Sequence, residues 1–253
     1  MPKTITNATV IGQRVLNATT KLIEVYAPEI AKTAVPGQFV NVQVCKNTAP
    51  LLRRPFGVAG VNADNGTFIM IYRIIGEATH ILAEVCSGDK LSIVGPLGHG
   101  FAMEAERPLL VGGGLGLAPL LYLAEGFCAQ NKPIEILMGG RSEEELFWTD
   151  LYEDIHITTD DGSCGVQGTV IALLPQLLDS GKYDCVYVCG PVPMMKAVAE
   201  VADEKNIKCQ VSLEKYMACG LGACLSCSCS GIGKRLKVCT DGPVFWAEEV
   251  GEW

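Results

Sequence analysis

The sequence lacks the features of several large protein classes. Its 253 residues contain no repeat of fixed period, no low-complexity stretch and no Lys/Arg cluster on any predicted face. With a net charge of −8 at pH 7, this argues against a protein that follows a phosphate backbone. Residues 1–13 also lack the basic and apolar regions of a secretion signal. We therefore expect a cytoplasmic protein that does not bind nucleic acid.

One stretch, Pro108 to Ala124, lacks charge altogether and has the length of a marginal membrane span. Four glycines and the internal Pro119 make a spanning helix unfavourable. A buried strand, a glycine turn and an apolar helix explain the same residues, so we predict no membrane partner.

The composition is that of a globular mixed protein, with 49% hydrophobic and 19% charged residues. The length allows two domains and a small appendage. Residues 1–104 alternate short β-branched runs with Gly, Asn and Asp turns, which predicts an antiparallel β-barrel domain. Its predicted strands include Leu22–Tyr26, Phe39–Val44, Thr67–Arg73 and Lys90–Val94, and its predicted helix is Ala78–Val85.

After Arg107 the pattern changes to alternating strands and helices, which predicts a parallel sheet in a nucleotide-binding α/β domain over residues 105–208. The predicted elements are the strands Leu109–Val111, Ile134–Met138, Ile155–Thr158 and Val186–Val188, and the helices Ala118–Ala129 and Pro193–Lys205.

Residues 209–253 have little apolar material and are rich in cysteine, so we expect a small irregular module that a metal centre holds in shape. Six of the twelve cysteines fall in this segment. The other six are predicted to pack in the core, and they are Cys45, Cys86, Cys128, Cys164, Cys185 and Cys189.

Cys219, Cys224 and Cys227 have the spacing C-x4-C-x2-C, and Cys239 follows. This is the plant-type ligand pattern of a [2Fe–2S] cluster. Small residues between the first two cysteines allow backbone N–H groups to approach the sulfurs. A structural zinc site or a set of unrelated buried thiols are the alternatives. Cys229 is interpreted as a spare thiol, because the set of four is complete without it.

The segment from Leu51 to Val58 resembles the flavin signature of the ferredoxin reductase superfamily. That resemblance implies FAD binding by Arg54, Pro55, Phe56 and Gly57, with Arg54 on the pyrophosphate. Gly57 departs from the usual Ser or Thr, so the hydroxyl near the flavin is missing. An arginine pair on a barrel edge is the alternative.

A second segment, Gly76-Glu77-Ala78-Thr79, resembles the pyrophosphate-binding turn of the same superfamily. A helix N-terminus offers free N–H groups to an anion, and a Thr hydroxyl adds a donor. The FAD residues implied by this segment and the strand before it are Tyr72, Arg73, Gly76, Ala78 and Thr79.

The glycine-rich stretch from Gly112 to Pro119 follows a predicted strand and opens a helix, so it can hold a nucleotide pyrophosphate. It is not the G-x-G-x-x-G fingerprint, since Leu117 stands at the third glycine position. It resembles the nucleotide turn of the superfamily, which also carries Cys-Gly-Pro near the nicotinamide. The implied residues are Gly112, Gly113, Gly114, Gly116 and Pro119 for NAD, and Cys189, Gly190 and Pro191 beside the nicotinamide. A strand-end packing thiol is the alternative for Cys189.

A chain that combines a flavin-binding barrel, a nucleotide-binding domain and a C-x4-C-x2-C segment resembles the electron-transfer subunit of class 1B dihydroorotate dehydrogenase. The most specific residues run from Ser212 to Gly220 and from Asp241 to Phe245. The resemblance implies a hetero-oligomer with an FMN-containing catalytic flavoprotein, in which electrons reach NAD through the cluster and FAD.

Other functions remain open. They are an NAD(P)H-dependent ferredoxin or flavodoxin reductase, a subunit of a bifurcating complex, and a redox-sensing module. The nucleotide preference is also open: Arg141 can hold a 2′-phosphate, whereas Glu143, Glu144 and Glu145 would repel one.

Overall fold

The computed structural model describes residues 4–45, 49–147, 155–251 and 253. Six antiparallel strands close into a barrel in the order β1-β2-β5-β4-β3-β6. This confirms the antiparallel barrel. Its strands are β1 (Thr4–Val15), β2 (Thr20–Tyr26), β3 (Phe39–Gln43), β4 (Arg54–Asn62), β5 (Thr67–Arg73) and β6 (Lys90–Leu97).

The barrel interior is filled by alternate residues of its strands, because successive side chains of a strand point to opposite faces. Ile23 and Val25 of β2 and Phe68 and Met70 of β5 are fully buried there. Two short helices, α1 (Pro28–Ala31) and α2 (Glu77–Ala83), join the strands. Leu82 of α2 packs into the same core.

A seven-stranded sheet follows, in the order β10-β9-β8-β7-β11-β12-β15. All its pairings are parallel except that of β12 with the edge strand β15. This confirms the parallel sheet. Its strands are β7 (Pro108–Gly113), β8 (Glu135–Gly140), β9 (Ile155–Thr159), β10 (Val166–Gln167), β11 (Cys185–Cys189), β12 (Lys208–Ser212) and β15 (Val244–Trp246), and its helices are α3 (Leu117–Ala129), α4 (Leu174–Asp179) and α5 (Val192–Glu204).

The strand order reverses at β7. The chain moves from β7 outward to β8 and β9, then returns to place β11 on the other side of β7. Gly112 at the end of β7 lies in register with Cys189 at the end of β11. Such a reversal opens a crevice at the carboxyl ends of the strands, where α/β proteins bind ligands.

The uncharged stretch folds as predicted, into β7, a 3₁₀ turn at Gly114–Gly116 and α3. Within the part of the chain that the structure describes, no helix has the length and apolar character to cross a membrane.

The cysteine-rich segment is more regular than the sequence predicts. Besides the hairpin of β13 (Ser228–Gly231) and β14 (Lys234–Lys237), it supplies β15 and most of β12 to the seven-stranded sheet. Several of its apolar residues, among them Val211, Leu236 and Val238, are buried in the core of that sheet and its helices. The predicted limit at 208/209 therefore falls inside β12, and both domain limits stay predictions.

The expectation that the six scattered cysteines pack in the core is only partly met. Cys185 and Cys189 of β11 are buried, whereas Cys86 and Cys128 are exposed. Cys86 lies in the turn between α2 and β6, and Cys128 lies near the end of α3, so neither side chain faces a core.

Candidate functional site

The flavin signature occupies one end of the barrel. Because β4 and β5 are antiparallel neighbours, Arg54 at the start of β4 and Arg73 at the end of β5 lie at the same end. The ring of Phe56 packs edge-on against Tyr72, with 5.8 Å between centroids. We call this region, with Gly57, the barrel end.

The two adjacent arginines of the signature have different environments. Arg53 donates to the carbonyl of Ser92 and, at 2.9 Å, to its hydroxyl, so it ties the start of β4 to β6. Among the described residues, Arg54 donates to the carbonyls of Leu52 and Arg53 and to no residue of another strand. The guanidinium of Arg54 is therefore less tied to the barrel than that of Arg53, and its contact with the FAD pyrophosphate stays a prediction.

Tyr72 lies inside the barrel. Its side chain is 1% exposed, and its hydroxyl donates to Gln13 Oε1. Burial, with a smaller contribution from Glu84, raises the pKa of this phenol. Any contact of Tyr72 with FAD is thus left to its backbone.

The Thr79 hydroxyl closes the first turn of α2. Its oxygen accepts from the backbone N–H groups of Ile75 at 3.0 Å and Gly76 at 3.1 Å, and it donates to the Gly76 carbonyl at 2.9 Å. Ala78 is buried beneath it. A phosphate would compete with these bonds, so the contact between Thr79 and FAD stays a prediction.

The glycine turn, Gly112 to Gly116, is closely packed at Gly112, Gly113 and Gly116. A β-carbon on Gly112 would lie 2.5 Å from Leu117, and one on Gly113 would lie 2.5 Å from Met194 Sδ. Gly114 has a φ of +54°, a left-handed conformation that favours glycine. These three glycines therefore let the backbone of the turn approach its neighbours closely.

Cys189 ends β11 beside this turn, but its thiol is buried. It is 1% exposed, and its Sγ lies 3.8 Å from the Ser212 carbonyl. Burial, and then the charge of Glu214, raise the pKa of this thiol, so it stays protonated. The environment matches the strand-end packing thiol that the sequence left open, and a catalytic role stays a prediction.

The barrel end and the glycine turn face each other. A β-carbon on Gly57 would lie 3.7 Å from Pro119, and one on Gly114 would lie 3.7 Å from Arg73 Nη2. Arg73 Nη2 is also 4.0 Å from Glu145, while its buried Nε has no partner among the described residues. The Arg73 side chain is 28% exposed between the barrel end and the glycine turn, and a guanidinium there fits an anionic ligand such as a pyrophosphate.

The four predicted cluster ligands form two pairs. Cys224 interacts with Cys219, and the hydrogen bonds of this loop, that from Ser226 foremost, lower the pKa of Cys224 to about 6. Cys239 interacts with Cys227, and burial together with that contact raises the pKa of Cys239 to about 11. Cys227 and Cys239 are buried, whereas Cys224 is exposed.

The cluster loop, Cys219 to Cys227, directs backbone N–H groups at sulfur. Leu221 N lies 3.3 Å and Cys224 N 3.5 Å from Cys219 Sγ. Gly220, Gly222 and Leu225 have positive φ values, which turn the loop on itself. Hydrogen bonds of this kind suit the thiolate ligands of an iron–sulfur cluster.

The two pairs of thiols suit a [2Fe–2S] cluster, which takes two ligands on each iron. Cys229 lies outside both pairs, although the charge of Cys227 acts on it.

The cluster loop packs on the barrel. A β-carbon on Gly220 would lie 2.9 Å from Asn41 Nδ2 and 3.1 Å from Leu97. Asn41 is fully buried, and its Nδ2 donates to the Ala218 carbonyl at 3.4 Å. Asn41 is not among the residues predicted from the sequence, although a polar residue among the apolar residues of β3 was a usable signal.

Comparison with known proteins agrees with this arrangement. Residues 214–251 match the model of the iron–sulfur cluster binding domain of dihydroorotate dehydrogenase B, and residues 110–200 match that of the oxidoreductase NAD-binding domain. A solved NADH-dependent reduced ferredoxin–NADP oxidoreductase superposes with a TM-score of 0.88 at 30% identity, covering 97% of this chain and 90% of that one. The fold and site define an NAD-linked oxidoreductase of the ferredoxin reductase type with an added cluster-binding segment.

Curated relatives show to which family within this class the chain belongs. The dihydroorotate dehydrogenase B (NAD(+)) electron transfer subunit of Caldanaerobacter subterraneus subsp. tengcongensis is 42% identical over 85% of this chain and 86% of its own length. That of Geobacillus thermodenitrificans is 37% identical over 96% of each chain. The chain belongs to the family of dihydroorotate dehydrogenase B electron transfer subunits.

Proposed function

We propose that this chain carries electrons between NAD and an FMN-containing dihydroorotate dehydrogenase catalytic subunit, in the manner its relatives' names describe. In this proposal Arg54, Gly57 and Arg73 hold FAD at the barrel end, and the glycine turn holds NAD. Cys219, Cys224, Cys227 and Cys239 hold one [2Fe–2S] cluster.

The proposal rests on two contacts, that of the barrel end with the glycine turn and that of the barrel with the cluster loop. The glycine turn faces the barrel end through Gly114 and Arg73, and the cluster loop packs on the same barrel through Gly220 and Asn41. When bound, a flavin exchanges electron pairs with a nicotinamide and single electrons with an iron–sulfur centre. The chain's own part is to hold these groups side by side and to orient them.

The cluster loop also supports a partner on its outer side. Cys224 is exposed, and around it Leu221 and Leu225 are 46% and 55% exposed. Tyr216, just before the loop, is 95% exposed. Apolar and aromatic side chains beside an electron carrier suit a protein interface, and we propose that the catalytic subunit covers them.

The test separates the internal reaction from the external one. In a Cys224→Ser variant that keeps its fold and FAD, NADH-dependent dye reduction should continue, because nicotinamide and flavin meet without the cluster. Turnover of dihydroorotate with NAD by the reconstituted complex should be lost. Cys229→Ser is the matched control and should keep both activities. Normal complex turnover in Cys224→Ser protein without iron would refute the proposal.

A second candidate is a subunit of a bifurcating oxidoreductase. The observation in its favour is the 0.88 TM-score to a solved enzyme studied for flavin-based electron bifurcation. Purification from the native host decides between the two, since the retained partner would bear FMN and oxidise dihydroorotate only under the first proposal. A redox-sensing module would retain neither kind of flavoprotein partner.

We also propose a cytoplasmic location. The support is chemical: Cys86 and Cys128 are exposed and lie outside the proposed cluster, and exposed thiols persist in compartments that keep them reduced. Labelling these thiols in intact cells, before and after permeabilisation, measures the compartment.

A further inference from the structure

The carboxyl ends of β8 and β9 carry one cation among five acids. Arg141 directly follows β8, and the five acids that follow the two strands form an acidic rim: Glu143, Glu144, Glu145, Asp160 and Asp161. Asp160 N donates to the Gly140 carbonyl at 3.0 Å, and Asp161 N to that of Arg141 at 3.2 Å, so both strand ends form one surface.

Arg141 is not free on this surface. Its Nε donates to Glu145 Oε1 at 2.9 Å, its Nη2 donates to the same oxygen, and its backbone N lies 3.2 Å from Glu145 Oε2. The Glu145 side chain is 19% exposed and that of Arg141 is 76% exposed. The hydrogen bond from Arg141 lowers the pKa of Glu145, so the pair is charged at neutral pH.

This surface adjoins the proposed nucleotide site, and the inference rests on that proposed function. Gly113 of the glycine turn lies in register with Gly139 of β8, one strand away. With the pyrophosphate on the glycine turn and the nicotinamide at the barrel end, as proposed, the adenosine ribose would lie on the side of β8 and β9. In such sites an acid after the second strand accepts from the 2′-hydroxyl of NAD, whereas an arginine accommodates the 2′-phosphate of NADP.

We infer that Glu145 makes the chain selective for NAD over NADP by occupying Arg141. While the pair holds, a 2′-phosphate meets the carboxylates of the acidic rim, and the Arg141 guanidinium is not free to bind it. Arg73 Nη2 lies 4.0 Å from the same carboxylate, but we assign Arg73 to FAD. The ribose hydroxyls of NAD can donate to the same carboxylates. The selectivity thus resides in an ion pair, rather than in the absence of a phosphate-binding residue.

The test compares two variants that change the net charge equally. Glu145→Gln releases Arg141, whereas Glu144→Gln removes an exposed rim carboxylate and leaves the pair of Arg141 with Glu145 in place. Calorimetry with 2′,5′-ADP and with 5′-ADP should show at least about tenfold tighter binding of the 2′-phosphate probe to Glu145→Gln than to Glu144→Gln. Stopped-flow reduction of FAD by NADPH should accelerate in the same order.

A third variant assigns the gain to Arg141. Adding Arg141→Ala to Glu145→Gln should cancel it, and a gain that survives would overturn the inference. Equal binding of 2′,5′-ADP to the two single variants would also overturn it, because the effect would then be general electrostatics. If the parent protein takes up no NADH at all, the proposed function itself fails, which is a distinguishable result.

Discussion

Gly116 lies directly against the end of β11: a β-carbon at this position would stand 2.3 Å from the carbonyl oxygen of Cys189 and 2.6 Å from Gly190 N. The two nucleotide motifs, far apart in the sequence, therefore touch through their backbones. The absence of a side chain at Gly116 sets the spacing between them.

Replacing Gly116 with Ala should separate these motifs. Overpacking of this kind costs about 1 to 3 kcal/mol, and we expect a loss of unfolding free energy in that range together with weaker NADH binding. Gly12→Ala is the control, because nothing lies within 4 Å of a β-carbon there. Urea unfolding and NADH titration measure both effects, and a Gly116→Ala protein that matches Gly12→Ala in both would contradict this account.

The adjacent arginines of the flavin signature should respond differently to Ala. Arg54→Ala should weaken FAD binding about tenfold to a hundredfold, since a charge-assisted contact contributes about 1.5 to 3 kcal/mol. Arg53→Ala should chiefly lower stability, because Arg53 bonds Ser92 of β6. FAD titration should show the larger effect for Arg54→Ala. Urea unfolding should show the larger effect for Arg53→Ala. If FAD loss follows Arg53 rather than Arg54, the wrong arginine has been assigned.

The cluster ligands are tested by metal content. The parent protein should hold about two irons and two acid-labile sulfides per chain, as for a [2Fe–2S] centre with four thiolate ligands. Cys224→Ser should lose most of the iron, and Cys229→Ser should retain it. A ferredoxin-like EPR signal after reduction checks the cluster type. Zinc in place of iron, or loss of iron from Cys229→Ser, would show the ligand set to be wrong.

We expect the carboxyl of Glu135, at the start of β8, to make the free energy of unfolding depend on pH. Burial opposes its charge, but hydrogen bonds from Tyr183, His156 and Lys182 outweigh this and lower the pKa of Glu135. A carboxyl with a lowered folded-state pKa stabilises above its unfolded value of about 4.3 and loses that contribution as pH falls through the folded value. Glu135→Gln should therefore cost about 1 to 2 kcal/mol at pH 7 and progressively less below pH ~4. Urea unfolding at several pH values measures this difference in unfolding free energy between variant and parent. Glu144→Gln is the control, and its difference from the parent should not shrink in this way as the pH falls.

The sequence predicted the barrel, the parallel sheet and the cluster spacing because each depends on local patterns. β5 was placed at its observed bounds, and α3 and α5 were each one residue off at one or both ends. The cysteine spacing was informative because ligands close in sequence must be close in space.

Features that depend on distant residues were not predictable. β15 pairs with β12 across the whole cluster segment, with Ser212 in register with Val244, and no local period marks a three-residue edge strand. The same limit applies to side-chain direction: the motif places Tyr72 beside the flavin strand, but only the barrel closure turns its ring inward. The pairing of Arg141 with Glu145 could likewise not be predicted, since the motif contains three consecutive glutamates.

The segment that holds the cluster leaves the seven-stranded sheet at β12 and re-enters it at β15, and Leu213 N donates to the Pro243 carbonyl at 2.9 Å where the two ends meet. Both ends are thus anchored independently of any iron. The pairing of β12 with β15 therefore offsets the entropic cost of closing this loop, and the cofactor is not needed for that. Assembly of the cluster becomes a local ordering event in an already folded protein, so the iron-free chain should be a competent recipient for late iron–sulfur delivery rather than an unfolded intermediate.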